Sequence, residues 1–158
     1  MQWRYCTRPA DREAVRTLVT ATGFFSAEEV EIAVELVDDA LAHGESSDYR
    51  CVFADAPGGA LIGYACYGPI APGSCEFDLY WIAVAPAGQR RGIGRALLRE
   101  TERRARAAGA KTMLIDTAGR AQYAPTRAFY EHMGYRVHEV AANFYAADDD
   151  KVIYRKRI

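Results

Sequence analysis

Hydrophobic positions in the first third of the chain recur with the period of an α-helix. Five apolar side chains, Val30, Ala33, Val34, Val37 and Leu41, follow one another at spacings of three, one, three and four residues, which places them on one side of a helix. The stripe predicts a helix that buries one face against the rest of the fold.

A helix start precedes this stripe. Ser26 is followed three residues later by Glu29, the capping-box pattern in which each side chain satisfies a free backbone N–H group. A shorter helix is predicted at Asp11–Thr22, and Gly23 ends it. A short strand, Trp3–Thr7, comes first, so the chain opens with one strand and two helices.

The middle of the chain changes to strand-like patterns. Tyr49–Asp55 and Leu61–Tyr67 are joined by Ala56–Gly59, whose sequence Ala-Pro-Gly-Gly is typical of an antiparallel hairpin turn. A Pro/Gly-rich loop then leads to a long strand, Glu76–Val84, which ends before Pro86.

The second half of the chain alternates helices and strands. Ile93, Leu97, Thr101 and Ala105 share one face of a predicted helix that Gly109 ends. The elements predicted here are a helix at about Ile93–Ala108, a strand at Lys111–Thr117, a helix at Pro125–Met133, strands at Tyr135–Ala141 and Val152–Arg157, and a solvated turn at Asp148–Asp150.

The order β-α-α-β-β-β-α-β-α-β-β predicts an α/β (α+β) fold. We expect one mixed sheet of six to seven strands, flanked by about four helices. A length of 158 residues suits one domain that covers residues 1–158, and no repeat or linker interrupts it.

Composition narrows the classes of partner. The chain is 50% hydrophobic and 26% charged, which is typical of a globular protein. Its formal net charge of -1 gives no general attraction to nucleic acid or to an anionic membrane. No segment has the uninterrupted apolar length of a membrane span or the pattern of a secretory signal, so we expect a cytoplasmic protein without nucleic-acid or membrane partners.

The cysteines and histidines indicate no metal site. Four cysteines are scattered without the spacing of a zinc or redox motif, which favours small buried apolar residues. Three histidines stand without a partner in sequence. These residues are Cys6, Cys51, Cys66, Cys75, His43, His132 and His138.

One turn between a strand and a helix combines glycine with positive charge. Gln89–Gly94 reads Gln-Arg-Arg-Gly-Ile-Gly, and its glycines let the backbone approach a ligand while N–H groups and the helix dipole face an anion. Arg90, Arg91 and Arg95 add charge beside it. The segment predicts a phosphate-binding turn.

Two common phosphate-binding patterns do not match this turn. A P-loop needs Lys and then Ser or Thr after its second glycine, whereas Arg95 and Ala96 follow Gly94. A dinucleotide fingerprint needs a third small residue where Leu97 stands. The first pattern is excluded and the second is disfavoured.

The turn resembles the signature of the GCN5-related N-acetyltransferase (GNAT) superfamily. That signature is Gln or Arg, two residues, Gly, one residue, and Gly or Ala, and Gln89, Gly92 and Gly94 match it here. Residues 80–86, Tyr-Trp-Ile-Ala-Val-Ala-Pro, look like the family's fourth strand. Residues 128–135, Ala-Phe-Tyr-Glu-His-Met-Gly-Tyr, look like its final helix and turn, in the family's order.

The resemblance implies acetyl-CoA as cofactor, with the backbone of this turn holding its pyrophosphate. A backbone N–H near Val84 is implied to bond the acyl carbonyl. Tyr123 stands where relatives often carry Asn near the pantetheine arm, which departs from the family's pattern. The residues implied to contact the coenzyme are Ile82, Ala83, Val84, Gln89, Arg90, Arg91, Gly92, Ile93, Gly94, Arg95, Tyr123 and Tyr130.

Acyl transfer to an amine needs a base for the amine and an acid for the departing thiolate. The resemblance implies Tyr130 as the acid. Asp78 is the favoured base because several relatives carry a carboxylate on this strand, Glu76 is the alternative, and an ordered water is a third option. Regular strand alternation would place Tyr80 and Val84 on the face of Asp78.

The acceptor in this superfamily is usually recognised by the first two helices and the last hairpin. Phe24, Phe25, Glu28, Tyr80 and Tyr145 are the candidate contacts, and their aromatic and acidic groups suit a cationic amine. The resemblance implies a small-molecule primary amine that attacks directly in a ternary complex. A protein N-terminus or lysine as acceptor, and a non-catalytic acyl-CoA-binding domain, stay open as alternatives. An exposed last strand suggests a homodimer.

Overall fold

A computed structural model describes residues 1–158 and confirms the predicted order of elements and the fold class. The strands are β1 Gln2–Arg4, β2 Arg50–Asp55, β3 Leu61–Pro69, β4 Glu76–Val84, β5 Thr112–Ala118, β6 Arg136–Ala146 and β7 Asp149–Arg157. The helices are α1 Asp11–Ala21, α2 Ala27–His43, α3 Ile93–Ala107 and α4 Ala124–His132. None of these helices combines the length and the apolar character that a bilayer crossing requires.

All seven strands join one sheet in the order β1-β2-β3-β4-β5-β7-β6. Neighbouring strands are antiparallel except β4 and β5, which are parallel and connected through α3. Side-chain alternation divides the core between the two faces of this sheet. In β2, Cys51 and Phe53 pack under α1 and α2, whereas Val52 packs under α3 and α4.

The pairing between β4 and β5 ends early. Only three residue pairs form: Glu76 with Thr112, Phe77 with Met113, and Asp78 with Leu114. Beyond them the two strands continue to Val84 and Ala118 without pairing to each other. The strands therefore separate and leave a gap inside the sheet.

A β-bulge in β4 lies where this gap begins. Cys66 of β3 pairs with Trp81, but the next residue, Tyr67, pairs with Leu79, so Tyr80 is an extra residue. The predicted common face of Asp78, Tyr80, Ile82 and Val84 is therefore wrong. Tyr80 packs on the core under α1 and α2, whereas Ile82 and Val84 pack on the core under α3 and α4.

The last hairpin is longer than the sequence predicted, because the expected turn at Asp148–Asp150 is mostly strand. Only Asp148 lies in the turn, with a φ of 62°. Asp149 is buried and accepts hydrogen bonds from the backbone N–H and the guanidinium of Arg120. Asp150 accepts the backbone N–H of Asn143 at 2.9 Å. These bonds to specific partners explain why two aspartates belong to β7.

An irregular stretch of β6 carries an aromatic side chain toward the gap. Ala141 pairs with Lys151 and Ala146 pairs with Asp149, so several residues of β6 have no partner on β7. Asn143 adopts a φ of 53° within this stretch. The strand bends outward here, which presents Tyr145 to the cavity described below.

Gly68 should be essential for the geometry around the bulge. It pairs with Asp78, and a Cβ at this position would lie 1.8 Å from the backbone oxygen of Asp48. We expect Gly68→Ala to lower the free energy of unfolding by about 1–3 kcal/mol, because a backbone segment must move. The matched control is Gly58→Ala, where a Cβ meets nothing within 4 Å. Urea denaturation of both variants tests this, and equal stability would contradict it.

Candidate active site

The gap between β4 and β5 forms a cavity of about 800 Å³. Part of its lining comes from the face that carries α3 and α4, including Arg95 and Tyr130. Another part comes from the opposite face, including Phe25 before α2, Asp116 of β5 and Tyr145 of β6. Because side chains from both faces reach it, the cavity passes through the sheet. Two ligands can enter from opposite faces and meet between the strands.

A turn rich in free backbone donors borders the cavity at the start of α3. Arg90 and Gly92 have φ values of 58° and 80°, and Gly92 caps the helix in the left-handed conformation. No protein acceptor bonds the N–H groups from Arg90 to Arg95, and the first turn of a helix supplies none. Six consecutive N–H groups at the positive end of the helix dipole are therefore free to bind an anion.

The predicted coenzyme contacts of this turn divide into two groups. Gln89, Arg90, Gly92, Gly94 and Arg95 line the cavity. The side chains of Arg91 and Ile93 do not.

Ile93 instead packs beneath the turn. Its Cδ1 would lie 2.9 Å from a Cβ at Gly88, and its Cγ2 would lie 3.5 Å from a Cβ at Gly63. Only the backbone of Ile93 can therefore reach a ligand. Glycine at position 88 allows the loop to lie this close to the helix.

Strand alternation directs one backbone donor of β4 into the gap. The N–H of Ala85 donates to Ile62 of β3 at 3.0 Å. Because successive N–H groups of a strand point in opposite directions, that of Val84 faces away from β3 and toward the gap. The side-chain amide of Gln89 donates to the Val84 carbonyl at 3.3 Å, which links this strand end to the turn.

Tyr130 of α4 presents its hydroxyl to the cavity. The residue is 5% exposed, and its hydroxyl makes no hydrogen bond within the protein. The ring packs against Phe129, Tyr135 and Tyr154, with centroid distances of 5.4, 6.0 and 6.0 Å. Burial raises the pKa of Tyr130 above its ordinary value, with a smaller contribution from Tyr123. The group is therefore a protonated phenol at neutral pH.

Asp78 lies beside the cavity, at the last residue pair between β4 and β5. Burial raises the pKa of its carboxyl to about 6, and the charge of Asp116 adds to this shift. Asp116 lines the cavity and forms an ion pair with Lys151 at 2.8 Å, whereas Asp78 is not part of the lining. A carboxyl of this pKa can exchange a proton near neutral pH.

The alternative base, Glu76, lies outside the cavity. It forms an ion pair with Arg155 at 2.9 Å and lines a separate depression at the start of β4. The two carboxylates lie on the same side of β4, and the charge of Glu76 contributes to the raised pKa of Asp78. Asp78 is the one that adjoins the strand gap.

Aromatic side chains line the other mouth of the cavity. Four of the residues predicted to contact the acceptor line it: Phe24, Phe25, Tyr80 and Tyr145. Phe25 packs edge-on against Trp81 at 4.7 Å between ring centroids.

Of the two glutamates at the start of α2, only one reaches this mouth. Glu28 is absent from the lining and Glu29 is present. Glu29 is fixed there by the capping box, in which its carboxylate accepts the N–H of Ser26 at 2.7 Å. The helix start therefore turns the second glutamate, not the first, toward the cavity.

Tyr123 forms part of the same mouth. Its hydroxyl donates weakly to the backbone oxygen of Phe24 at 3.5 Å, and the Arg120 guanidinium lies 4.8 Å from its ring centroid. Arg120 is itself paired with Asp149 at 2.6 Å. Tyr123 thus joins the loop before α4 to the α1–α2 connection, and Arg120 joins the same loop to the last hairpin.

Three polar residues are among the lining residues that the sequence analysis did not single out. Asp116, Thr117 and Arg120 come from β5 and the loop after it, which carry no family motif. Thr117 is 6% exposed, and its Oγ1 atom has no hydrogen-bond partner. These residues reach the cavity because β5 separates from β4, and no local sequence pattern indicates that separation. No three His, Cys, Asp or Glu side chains are grouped so that they could hold a metal ion.

Known proteins resemble this chain in sequence and in fold. Mycothiol acetyltransferase of Geodermatophilus obscurus is 40% identical over 95 residues, which are 60% of this chain and 29% of that protein. A GNAT-family protein of Desulfovibrio desulfuricans is 44% identical, with a TM-score of 0.94 over 99% of this chain and 98% of that chain. An aminoglycoside 6'-N-acetyltransferase complexed with coenzyme A shares the fold at 17% identity, with a TM-score of 0.77 over 99% and 97% of the two chains.

A family model also matches most of the chain. The model of the acetyltransferase (GNAT) family matches residues 13–135, which include most of α1 and all of α2, β4, the donor-rich turn and α4. The strand gap, the turn and the buried tyrosine all lie within that range or at its end. The chain therefore belongs to the GNAT family of acetyltransferases.

Proposed function

We propose that this enzyme transfers an acetyl group from acetyl-CoA to the primary amine of a small molecule by direct attack in a ternary complex. The observation that carries the proposal is the cavity through the sheet. One mouth has free backbone donors and arginines, and the other has aromatic and acidic side chains. The two mouths suit an anionic donor and a cationic acceptor.

Acetyl-CoA is the acetyl donor of this family, and the free N–H groups of the turn suit its pyrophosphate. The donors from Arg90 to Arg95 have no acceptor in the protein, so an anion can bond them without breaking a hydrogen bond within the protein. The guanidinium groups of Arg90 and Arg95 lie at the same mouth. Bound there, the coenzyme supplies a thioester whose acetyl group can be transferred.

Three groups of this chain have suitable positions for the proton and charge movements. The N–H of Val84 points into the gap, where it can stabilise negative charge on an acyl oxygen. Tyr130 holds a proton that a departing thiolate can accept. Asp78 takes the proton from the acceptor ammonium through an intervening water, because it adjoins the cavity without lining it.

The aromatic side chains that border the acceptor mouth support a small molecule over a protein substrate. Phe24 and Phe25 border it on one side and Tyr145 on the other. Glu29 and Asp116 supply negative charge beside these rings, which suits an ammonium group. A non-catalytic coenzyme-binding domain would have no need for both a buried phenol and a carboxyl of raised pKa beside the same gap.

The edge of β6 supports a homodimer. This strand pairs only with β7, and all of its residues except Ala141 are exposed. Its outer backbone groups are therefore free to pair with a second copy of the chain.

The function is tested by thiol release from acetyl-CoA with a panel of amino acids, polyamines, aminoglycosides and peptides. We expect at least one small amine to accelerate release, and Tyr130→Phe to lower kcat by about 100-fold while coenzyme A affinity stays the same. Isothermal titration calorimetry gives the affinity. No acceleration by any amine would contradict transfer, faster transfer to peptides would contradict a small acceptor, and unchanged kcat in Tyr130→Phe would remove the acid role.

The pH dependence of kcat/KM should reveal the base. Asp78 must be ionised to accept a proton, so we expect the rate to fall as pH drops through about 6. Asp78→Asn should abolish most of the activity, and Glu76→Gln should keep both the activity and the acidic limb. The folded protein favours protonated Asp78, so ionised Asp78 destabilises the folded state. Asp78→Asn should therefore raise the free energy of unfolding at pH 8, and this gain should disappear by about pH 4. If the acidic limb of kcat/KM is unchanged in Asp78→Asn, it belongs to the titration of another group.

The unpartnered hydroxyl of Thr117 should contact the coenzyme. Thr117→Val keeps the shape and removes a buried polar group, so we expect the apoprotein to gain about 1 kcal/mol of stability and to lose about fivefold in coenzyme A affinity. Tyr64→Phe is the matched control, because the Tyr64 hydroxyl is also buried and unpartnered but lies outside the cavity. It should gain stability with unchanged affinity. Equal coenzyme affinity in both variants would contradict the contact.

A further inference from the structure

A second depression, separate from the cavity, carries positive charge on the uncovered face of the sheet. It has a volume of about 910 Å³ and is lined by the starts of β4, β5 and β6, the end of β7 and the loop before β4. No residue of its lining belongs to the cavity between β4 and β5. We call it the basic depression; its charged residues are Glu76, Lys111, Arg136, Arg155 and Arg157, and His138 stands beside them.

Strand pairing shows that its arginines share one face. Arg136 pairs with Arg155, and Arg157 pairs with Thr112, so each pair lies on one side of the sheet. Lys156, between the two arginines of β7, points the other way and bonds Glu102 of α3. The core under α1 and α2 contains no residue of β5, β6 or β7. The arginines therefore point to a face that α1 and α2 leave open.

The positive charge of this depression is only partly neutralised. Glu76 is its one carboxylate and pairs with Arg155 at 2.9 Å. Lys111, Arg136 and Arg157 form no salt bridge. A chain of net charge -1 thus keeps three unpaired cationic side chains around one depression.

The arrangement is unfavourable for the sheet by itself. Arg136 and Arg155 are direct cross-strand partners, and like charges in that position destabilise a strand pair. Arg157 follows two residues later on the same face, roughly 7 Å along the strand. Local rules are broken in this way mainly at functional sites. An anion between the three guanidinium groups would convert repulsion into attraction.

We propose that the basic depression binds a small molecule that carries phosphate groups. Guanidinium groups bind phosphate oxygens through paired, charge-assisted hydrogen bonds. The volume exceeds that of a single phosphate, so it can hold the organic part of such a ligand as well. The site is separate from the proposed acetyl transfer, and the two can be tested independently.

Inorganic pyrophosphate is a suitable probe for calorimetric titration of the full chain, with coenzyme A kept saturating so that the donor-rich turn is filled. Sodium chloride of equal ionic strength serves as the reference. We expect pyrophosphate to bind, and Arg136→Gln and Arg157→Gln each to weaken this binding by about tenfold or more. Arg8→Gln is the matched control, since Arg8 is exposed, forms no salt bridge and lies outside the depression.

Two further readouts make the outcome decisive. Arg136→Gln should fold with a melting temperature equal to or above that of the parent chain, because it removes a like-charge pair, and it should keep coenzyme A affinity. No binding beyond the chloride reference, or equal binding by Arg136→Gln, would overturn the proposal. Binding of polyglutamate without binding of pyrophosphate would overturn it in favour of an acidic polypeptide. These results do not depend on acetyl transfer. The pyrophosphate titration would have the same outcome if the parent chain acetylated none of the amines tested.

Discussion

Backbone hydrogen bonding between β4 and β5 ends after three residue pairs, and the site depends on that end point. Inside a sheet, strand edges normally satisfy each other, since buried N–H and C=O groups without partners are costly. Here the edges of Leu79–Val84 and Ile115–Ala118 face a gap instead of each other. The bulge at Tyr80 and the close approach of Gly68 to Asp48 fix where the separation begins.

Unsatisfied polar groups concentrate around this gap. The N–H groups before and at the start of α3, the Thr117 hydroxyl and the Tyr130 hydroxyl all lack protein partners. Aliphatic and aromatic side chains fill the surrounding core, so the protein offers these groups few alternatives. A ligand that bonds these groups displaces only water, so its hydrogen bonds form without breaking any within the protein.

Local sequence patterns predicted part of the fold and the site, whereas features that depend on contacts between distant segments were not predicted. The element order, the donor-rich turn and Tyr130 follow from local patterns, namely helix caps, glycine positions and a family signature. The faces of β4 did not follow, because one extra residue at Tyr80 reverses every later side chain. Asp149 and Asp150 read as a polar turn, yet their bonds to Arg120 and Asn143 make them part of β7. Thr117 lines the site only because β4 and β5, which are distant in sequence, diverge.

The uncovered face of β5, β7 and β6 has two regions of opposite character. Near the gap it carries the ion pair of Asp116 with Lys151, next to Asp78 of β4, while at the far end it carries the basic depression. About 13 Å of β7 separates Lys151 from Arg155. Charge along this face therefore changes with position, although the chain as a whole is almost neutral.

A cavity open on both sides of the sheet also bears on kinetic order. Neither ligand needs to pass through the place of the other, so neither obstructs entry or departure of its partner. Saturation with one substrate should leave the association rate of the other intact, and each product can dissociate by the route its precursor used. The architecture is therefore compatible with random-order addition, and compulsory order would have to arise from a conformational change instead of from obstruction.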